Sequence, residues 1–279
     1  MRVLEKKDEV RNLVARARVG GRKIGLVPTM GFFHEGHLEL MRLCRSRCGL
    51  CLVSIFVNPT QFGPAEDFDR YPRDLERDRA LAEAESVDLI FAPAVEEMYA
   101  PDSSTVVLEN LVSRGLCGLG RPGHFQGVAT VVAKLFNIVQ PDMAFFGRKD
   151  LQQLAVIRRM VRDLDFPVRV EAAPIVREPD GLALSSRNVY LEPEQRARAP
   201  GLYRALYRGA GMFSGAKGDT SPLLNEIHRE IESATGGRLE YLSAVDEEME
   251  EVDDASDCRY LAAALHLGPV RLIDNVEVA

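Results

Sequence analysis

The sequence has no tryptophan, few histidines and no long hydrophobic run. Its 279 residues include only five histidines. No apolar stretch approaches the roughly 20 residues that a membrane-spanning helix needs. The first nine residues, Met-Arg-Val-Leu-Glu-Lys-Lys-Asp-Glu, contain no apolar core of a secretory signal. The sequence therefore predicts a cytoplasmic protein that does not enter a membrane.

An excess of positive charge is also missing. The formal net charge is −7 at pH 7. A general nucleic-acid binder needs a basic stripe to neutralise the phosphate backbone, so we expect no nucleic-acid partner. An acidic protein that binds nucleotides has to gather positive charge locally, and we expect it to use a divalent cation.

The five cysteines are an odd number, which is unfavourable for a disulfide framework. Cys44, Cys48 and Cys51 have the C-x3-C-x2-C spacing that holds an iron–sulfur cluster in some enzymes. Cys44 and Cys48 fall late in a predicted helix, whereas Cys51 falls inside an apolar run typical of a buried strand. We therefore expect the three cysteines to serve as small buried side chains. The alternative interpretation is an iron–sulfur protein in which they bind the cluster.

Strand-length apolar runs alternate with helical patterns up to about residue 175. The predicted strands cover residues 23–27, 50–57, 87–92 and 143–146. The predicted helices cover residues 36–48, 73–86, 127–139 and 151–164. This alternation predicts an α/β fold with a Rossmann-like, doubly wound parallel sheet over residues 1–175.

The pattern changes near residue 176. Helices are predicted over residues 192–210 and 221–234, with a weak break at 211–218. Strands are predicted over residues 239–245, 259–267 and 270–273, with Gly268-Pro269 as a tight connection. We expect a smaller C-terminal α+β domain, residues 176–279, with an antiparallel sheet, that covers the first domain.

The most informative motif is a histidine pair between the first predicted strand and the helix that follows it. His34 and His37 lie in the segment Met30-Gly31-Phe32-Phe33-His34-Glu35-Gly36-His37. A glycine turn before a helix start presents backbone N–H groups and the positive end of the helix dipole, which suits a phosphate. Residues three apart share a helix face, so both imidazoles can reach one anion. Their spacing is one residue short of the His-Glu-x-x-His zinc pattern, and we predict no protein-held metal.

Other polar segments also follow predicted strands or turns. Lys149 can meet a phosphate, and Asp150 can accept hydrogen bonds from a ribose or start a helix. Ser185, Ser186 and Arg187 can surround a pyrophosphate, although the same residues also fit an ordinary helix cap with a solvated arginine.

Two further side chains are candidates for the site. Gln61 follows the second strand and can both donate and accept hydrogen bonds, which suits a substrate with hydroxyl and carboxylate groups. His124 fits a site residue and a packing residue equally well.

Together these segments resemble the pantoate–β-alanine ligase family, and the match covers nearly the whole chain in order. The motifs that carry the resemblance are Pro28-Thr29-Met30-Gly31, His34-Glu35-Gly36-His37, Asn58-Pro59-Thr60-Gln61-Phe62, Tyr71-Pro72-Arg73-Asp74, Arg121-Pro122-Gly123-His124-Phe125, Gly147-x-Lys149-Asp150-x-Gln152-Gln153 and Ser185-Ser186-Arg187-Asn188. The resemblance implies a homodimer whose substrates are ATP with Mg²⁺, pantoate and β-alanine. The pantoate carboxylate would attack the α-phosphorus of ATP, and β-alanine would then attack the pantoyl adenylate, releasing AMP.

The resemblance also implies roles for individual residues. Those implied to bind ATP are Met30, Gly31, His34, His37, Gly147, Arg148, Lys149, Asp150, Val176, Leu184, Ser185, Ser186 and Arg187. Gln61 and Gln153 would bind pantoate, with Gln61 also near β-alanine. The catalytic group would comprise His34, His37, Lys149 and Arg187, with His37 as the proton donor.

The sequence departs from the usual family pattern without losing a polar catalytic group. Phe32-Phe33 replaces the commoner Ala-Leu, Leu151 a frequent aromatic residue, and Leu184 a frequent methionine. Arg148 adds a charge beside the nucleotide. The His-x-Gly-His element alone is shared with other nucleotidyltransferases. A second interpretation is therefore transfer of a nucleotide to a phosphorylated acceptor, without any dependence on an amine.

Overall fold

A computed structural model describes residues 1–64 and 66–279. The described chain forms two compact units. The first comprises Met1–Leu111, Arg121–Arg148 and Val156–Pro174, and the second comprises Val112–Gly120, Lys149–Ala155 and Ile175–Ala279. Two segments that precede residue 175, Val112–Gly120 and Lys149–Ala155, thus belong to the second unit. A single domain boundary after residue 175 remains a prediction from the sequence.

The elements are numbered in chain order. The strands are β1 Arg2–Leu4, β2 Ile24–Thr29, β3 Leu50–Ile55, β4 Leu89–Phe91, β5 Met143–Gly147, β6 Arg169–Ala173, β7 Arg238–Val245, β8 Tyr260–Leu267 and β9 Val270–Glu277. The helices are α1 Lys7–Val19, α2 Glu35–Arg47, α3 Leu75–Ala84, α4 Val95–Met98, α5 Cys117–Gly120, α6 His124–Val139, α7 Leu151–Asp163, α8 Pro193–Arg198, α9 Gly201–Phe213 and α10 Ser221–Thr235. Short 3-10 turns cover Pro59–Gln61, Arg148–Asp150, Ser186–Tyr190 and Ala255–Asp257.

The first unit contains a parallel sheet with the strand order β1-β4-β3-β2-β5-β6. Residues 24–27 of β2 and 50–54 of β3 are buried, because the inner strands of a parallel sheet have both faces covered. Helix α6 is also largely buried. The predicted Rossmann-like parallel sheet is confirmed.

The second unit contains an antiparallel sheet with the order β7-β8-β9. Gly268, with φ of +60°, makes the turn between β8 and β9. Apolar side chains from α9, α10 and β8, including Leu206, Phe213, Ile227 and Leu261, form the core of this unit. The predicted small α+β arrangement is confirmed.

Some elements differ from the sequence prediction. Strands β1 and β6 and helix α1 were not predicted, because the strands are short and the helix is rich in charge. The helix predicted over residues 192–210 is wrong as one element, since α8 ends before Ala199-Pro200 and α9 then continues past Gly211 to Phe213. Strand β9 is longer than predicted. No helix among the described residues combines the length and apolarity needed to cross a membrane.

Candidate functional site

The direction of chain growth across the parallel sheet changes between β2 and β5. From β2 the chain continues to β3 and then β4 on one side, whereas β5 and β6 lie on the other side. Ligands of open α/β sheets bind outside the carboxyl ends of the strands at such a switch point. The segment from Met30 to His37 follows β2, and Gly147 and Arg148 lie where β5 ends. The fold therefore brings two predicted nucleotide-binding segments to one edge of the sheet.

The two histidines together cap the N-terminus of α2. His34 is the N-cap residue, and its Nδ1 accepts a hydrogen bond from Gly36 N at 3.2 Å. The Nδ1 atom of His37 accepts one from His34 N at 3.3 Å. The ring centroids are 4.1 Å apart. The predicted sharing of one helix edge by both imidazoles is thus present, and both Nδ1 atoms bond the backbone of that helix start.

The turn that leads to His34 has an unusual backbone conformation. Gly31 and Phe32 have φ angles of +85° and +53°. The left-handed conformation is unfavourable for Phe32, because it crowds the Cβ atom of any residue with a bulky side chain. A Cβ atom on Gly31 would lie 2.9 Å from both Ile55 Cγ2 and Asp78 Oδ2, so glycine is required there.

Asp78, which the sequence analysis missed, holds this turn in place. It lies in α3, is 1% exposed, and accepts hydrogen bonds from Phe32 N at 2.6 Å and Phe33 N at 2.7 Å. Burial raises the pKa of this carboxyl group, while the two N–H donors and Arg77 act in the opposite direction. Asp78 stands among alternating charged residues of a predicted helix, so no local pattern marks it.

Gln61 lies beside Met30, another predicted site residue, because its Nε2 is 3.2 Å from Met30 Sδ. The buried Asn58 donates from Nδ2 to Gln61 Oε1 at 3.2 Å and to Gly127 O at 3.1 Å. Helix α6 approaches the 3-10 turn Pro59–Gln61 so closely that a Cβ on Gly127 would lie 2.3 Å from Thr60 O. Gln61 is therefore held through both its side chain and its backbone.

His124 is placed by the structure as a supporting residue of Gln61. It is 9% exposed, and its Nδ1 lies 2.8 Å from Gln61 O. Its Nε2 lies 2.9 Å from Arg121 Nη1, which can only donate, so the neutral ring carries its hydrogen on Nδ1. Arg121 is in turn bonded to Glu66 at 2.8 and 2.6 Å.

In the second unit, two predicted nucleotide-binding residues are paired in a hairpin. Leu184 N donates to Val176 O at 3.0 Å, and Arg177 forms a bridge with Ala183. Ser185 then caps the following 3-10 turn, since its Oγ accepts from Arg187 N at 3.3 Å. The side chain of Ser185 therefore acts as a helix cap, which is one of the two interpretations that the sequence allowed.

Lys149 and Ser185, far apart in the sequence, line one open cavity in the second unit. Asp150 ends the 3-10 turn before α7, and Gln153 is half-buried in the first turn of that helix. The neighbouring Gln152 has a structural position, because its amide donates to Val112 O and Gly115 O at 2.8 Å.

Cys44, Cys48 and Cys51 are buried, as predicted. A Cβ on Gly25 would lie 2.3 Å from Cys44 Sγ and 2.9 Å from Cys48 Sγ, so the sulfur atoms lie closer together than their separate elements suggested. A hydrogen bond with Cys51, together with burial, raises the pKa of Cys44, and burial raises that of Cys48. These shifts fit the predicted role of the three cysteines as small buried side chains. Among the described residues, no group of three or more His, Cys, Asp or Glu side chains is arranged to hold a metal ion.

Comparison with known proteins identifies the family. A family model described as pantoate-beta-alanine ligase matches residues 2–277. The pantothenate synthetase of Moorella thermoacetica is 52% identical over 277 residues, which cover 99% of this chain and 98% of that protein. The pantothenate synthetase of Thermotoga petrophila is 50% identical over 276 residues, with 99% of each chain covered.

Solved structures agree with this assignment. A crystal structure of pantothenate synthetase from Thermus thermophilus matches with a TM-score of 0.92 and 48% identity, covering 100% of this chain and 99% of that chain. The pantoate-beta-alanine ligase from Francisella tularensis, in complex with beta-gamma ATP and beta-alanine, matches with a TM-score of 0.82 and 31% identity over 99% and 97% of the two chains. The chain therefore belongs to the pantoate–β-alanine ligase family.

Proposed function

We propose that the pantoate–β-alanine ligase activity of this chain proceeds through a pantoyl adenylate. A carboxylate is a poor acyl donor, and transfer of AMP from ATP gives it a good leaving group. Attack at phosphorus needs alignment and neutralisation of charge rather than a protein nucleophile. The observation that carries the proposal is the histidine pair at the start of α2, beyond the carboxyl end of β2.

The hydrogen bonds of the pair select one tautomer of each ring. Because Nδ1 of His34 and Nδ1 of His37 both accept backbone N–H groups, each neutral ring carries its hydrogen on Nε2. We assign these Nε2–H groups to the triphosphate oxygens of ATP, near Met30 and Gly31. An imidazolium has no Nδ1 lone pair, so a charged His37 would lose its bond from His34 N. We therefore assign His37 to hydrogen-bond donation toward the departing pyrophosphate.

Cationic residues would offset the remaining negative charge of the nucleotide. We assign Lys149 and Arg187 to phosphate oxygens, the first as a point charge and the second as a planar fork. Gly147, Arg148, Asp150, Val176 and the segment 184–186 are proposed to contact ATP. The described residues offer no cluster for a protein-held cation, so Mg²⁺ is proposed to arrive on ATP as part of the substrate.

Gln61 and Gln153 are proposed to bind pantoate through its hydroxyl and carboxylate groups. Gln61 suits this role because Asn58, His124 and the close approach of Gly127 fix its position before any substrate binds. The Francisella tularensis relative was solved with beta-alanine as well as beta-gamma ATP, which supports β-alanine as the amine substrate here.

A homodimer and a cytoplasmic location are also proposed. In the segment before Arg121, Val106, Leu108 and Leu111 are 53%, 56% and 50% exposed. Several exposed apolar side chains in one short segment favour coverage by a second copy of the chain. The five free cysteines fit a reducing compartment.

The activity is tested by supplying MgATP, pantoate and β-alanine together and each pair separately. We expect AMP and pantothenate to form only with all three substrates, and pyrophosphate to form with MgATP and pantoate. His37→Ala should lower the rate of pyrophosphate formation by about 10²-fold or more, on the scale of one lost hydrogen-bond donor to charge that develops in the transition state. His228→Ala is the matched control, since His228 is an exposed residue of α10. Nucleotide transfer to a phosphorylated acceptor, independent of β-alanine, would contradict the proposal.

A further inference from the structure

Two consecutive buried polar residues of β9 bond the segments to which we assign ATP binding. Asp274 is 5% exposed and Asn275 is 7% exposed. Successive side chains of a strand point in opposite directions, so the two residues can reach different parts of the chain. Each one bonds a separate segment within the second unit.

Asp274 anchors the hairpin that begins at Val176. Its carboxylate accepts two hydrogen bonds from the guanidinium of Arg177, at 2.6 and 2.8 Å. Arg177 also donates to Gly181 O at 3.1 Å, within the same hairpin, and lies 3.7 Å above the ring of Tyr203. The fork geometry and the stacking together fix the arginine, and with it the entrance to the segment 184–187.

Asn275 bonds the second segment. Its Nδ2 donates to the backbone oxygen of Lys149 at 3.1 Å. The next residue after Lys149 begins the transition into α7, so this bond fixes the backbone from which the lysine side chain extends. Asp274, Lys149 and Ser185 line the same cavity, which shows that the two bonded segments meet there.

We infer that Asp274 and Asn275 are positioning residues for ATP: the strand β9 sets the distance between Lys149 and the Ser185–Arg187 turn. The inference rests on the proposed function of those two segments. Neither β9 residue has to touch the nucleotide. Their effect on the reaction acts through the backbone of Lys149 and through Arg177.

Asn275→Asp is the sharpest test, because it changes a donor into an acceptor at nearly constant size, opposite the Lys149 carbonyl. We expect the dissociation constant of MgATP, measured by calorimetry, to rise by about 10-fold or more, the scale of one lost buried hydrogen bond. The rate at which β-alanine reacts with supplied pantoyl adenylate should stay unchanged. Asn137→Asp is the matched control, since Asn137 Nδ2 also donates to a backbone oxygen, that of Ala133, but in an exposed position of α6.

A second variant keeps the test decisive if Asn275→Asp does not fold. Arg177→Lys keeps the charge but loses the fork and the stacking, and it should weaken MgATP binding in the same way. Its control is Arg196→Lys, because Arg196 bonds Asp180 of the same hairpin from the surface.

Two results would overturn the inference. One is unchanged MgATP binding in Asn275→Asp, or in Arg177→Lys if the first variant does not fold. The other is an equal loss in MgATP binding and in the β-alanine step, because a general structural defect would affect both. Calorimetry measures MgATP binding without turnover, so the two proposals can fail separately. A wild-type chain that binds MgATP but forms no pantothenate would refute the proposed function. The positioning role of Asp274 and Asn275 could still be measured in that case.

Discussion

Replacement of Gly127 by alanine is expected to displace Gln61, which we propose binds pantoate. The new Cβ would lie 2.3 Å from Thr60 O, 2.5 Å from Thr60 C and 2.7 Å from Gln61 Cα. All three are backbone atoms, so no side-chain rotation relieves the contact. Ordinary van der Waals separation requires a shift of roughly 1 Å between α6 and the 3-10 turn that carries Gln61.

The substitution has two opposing effects on the free energy of unfolding, whereas its effect on activity is only a loss. Alanine favours the helix by about 1 kcal/mol over glycine, whereas overpacking costs about 1–3 kcal/mol. We expect a net loss of about 0–2 kcal/mol in the free energy of unfolding, measured in urea. A misplacement of about 1 Å can lower a rate by about 10²-fold, and we expect a loss of that order in kcat/KM for pantoate.

Gly211→Ala is the matched control. Gly211 lies in α9, and a Cβ there would meet no atom within 4 Å. That variant should keep full activity and unfold at the same or slightly higher urea concentration. A Gly127→Ala enzyme with unchanged kcat/KM for pantoate would refute the claim that the close approach of α6 positions Gln61.

Two further predictions concern carboxylates that accept several hydrogen bonds. In Asp78→Asn only one side-chain oxygen remains to accept from the N–H groups of Phe32 and Phe33. Pyrophosphate formation should therefore slow by about 10-fold. The control is Asp74→Asn, which alters only the N-cap of α3 and should leave the rate unchanged. Hydrogen bonds from Arg271 lower the pKa of Glu240 from 4.5 to about 2. This carboxylate therefore stabilises the fold above pH 4.5, and the contribution, about 3 kcal/mol, is lost as the pH falls toward 2. Glu240→Gln should remove that pH dependence in urea unfolding, and the exposed Glu194→Gln should retain it.

The sequence predicted the elements whose signals are local. Strands β2 and β3 are continuous apolar runs, and the start of α2 is marked by a glycine-bearing turn and a histidine pair. Strand β1 has three residues and gives no periodic signal, so its place at the edge of the sheet was not predicted. The break at Ala199-Pro200 shows that a proline can divide one helical pattern into two helices.

The residues that support the site gave no such signal, because their partners are distant in sequence. Asp78 bonds Phe32 across 46 residues, and Asn275 bonds Lys149 across 126. Each looks like an ordinary charged or polar residue of its own helix or strand. Only the folded topology shows that they bond loop backbones next to predicted substrate-binding side chains.

These supporting residues share one physical property, which bears on how the enzyme binds its substrates. Asp78, His124 and Asn275 are buried polar side chains that bond backbone atoms of turns, and the buried Asn58 bonds the side chain of Gln61 in one of those turns. Burial of a polar group costs free energy unless its hydrogen bonds are made, so each turn is stable only in the conformation that satisfies its partner. The turns are therefore ordered before substrate binds, and little binding energy has to be used to order them. Such preorganisation suits adenylate formation, in which alignment of the carboxylate with the α-phosphorus accounts for much of the chemistry.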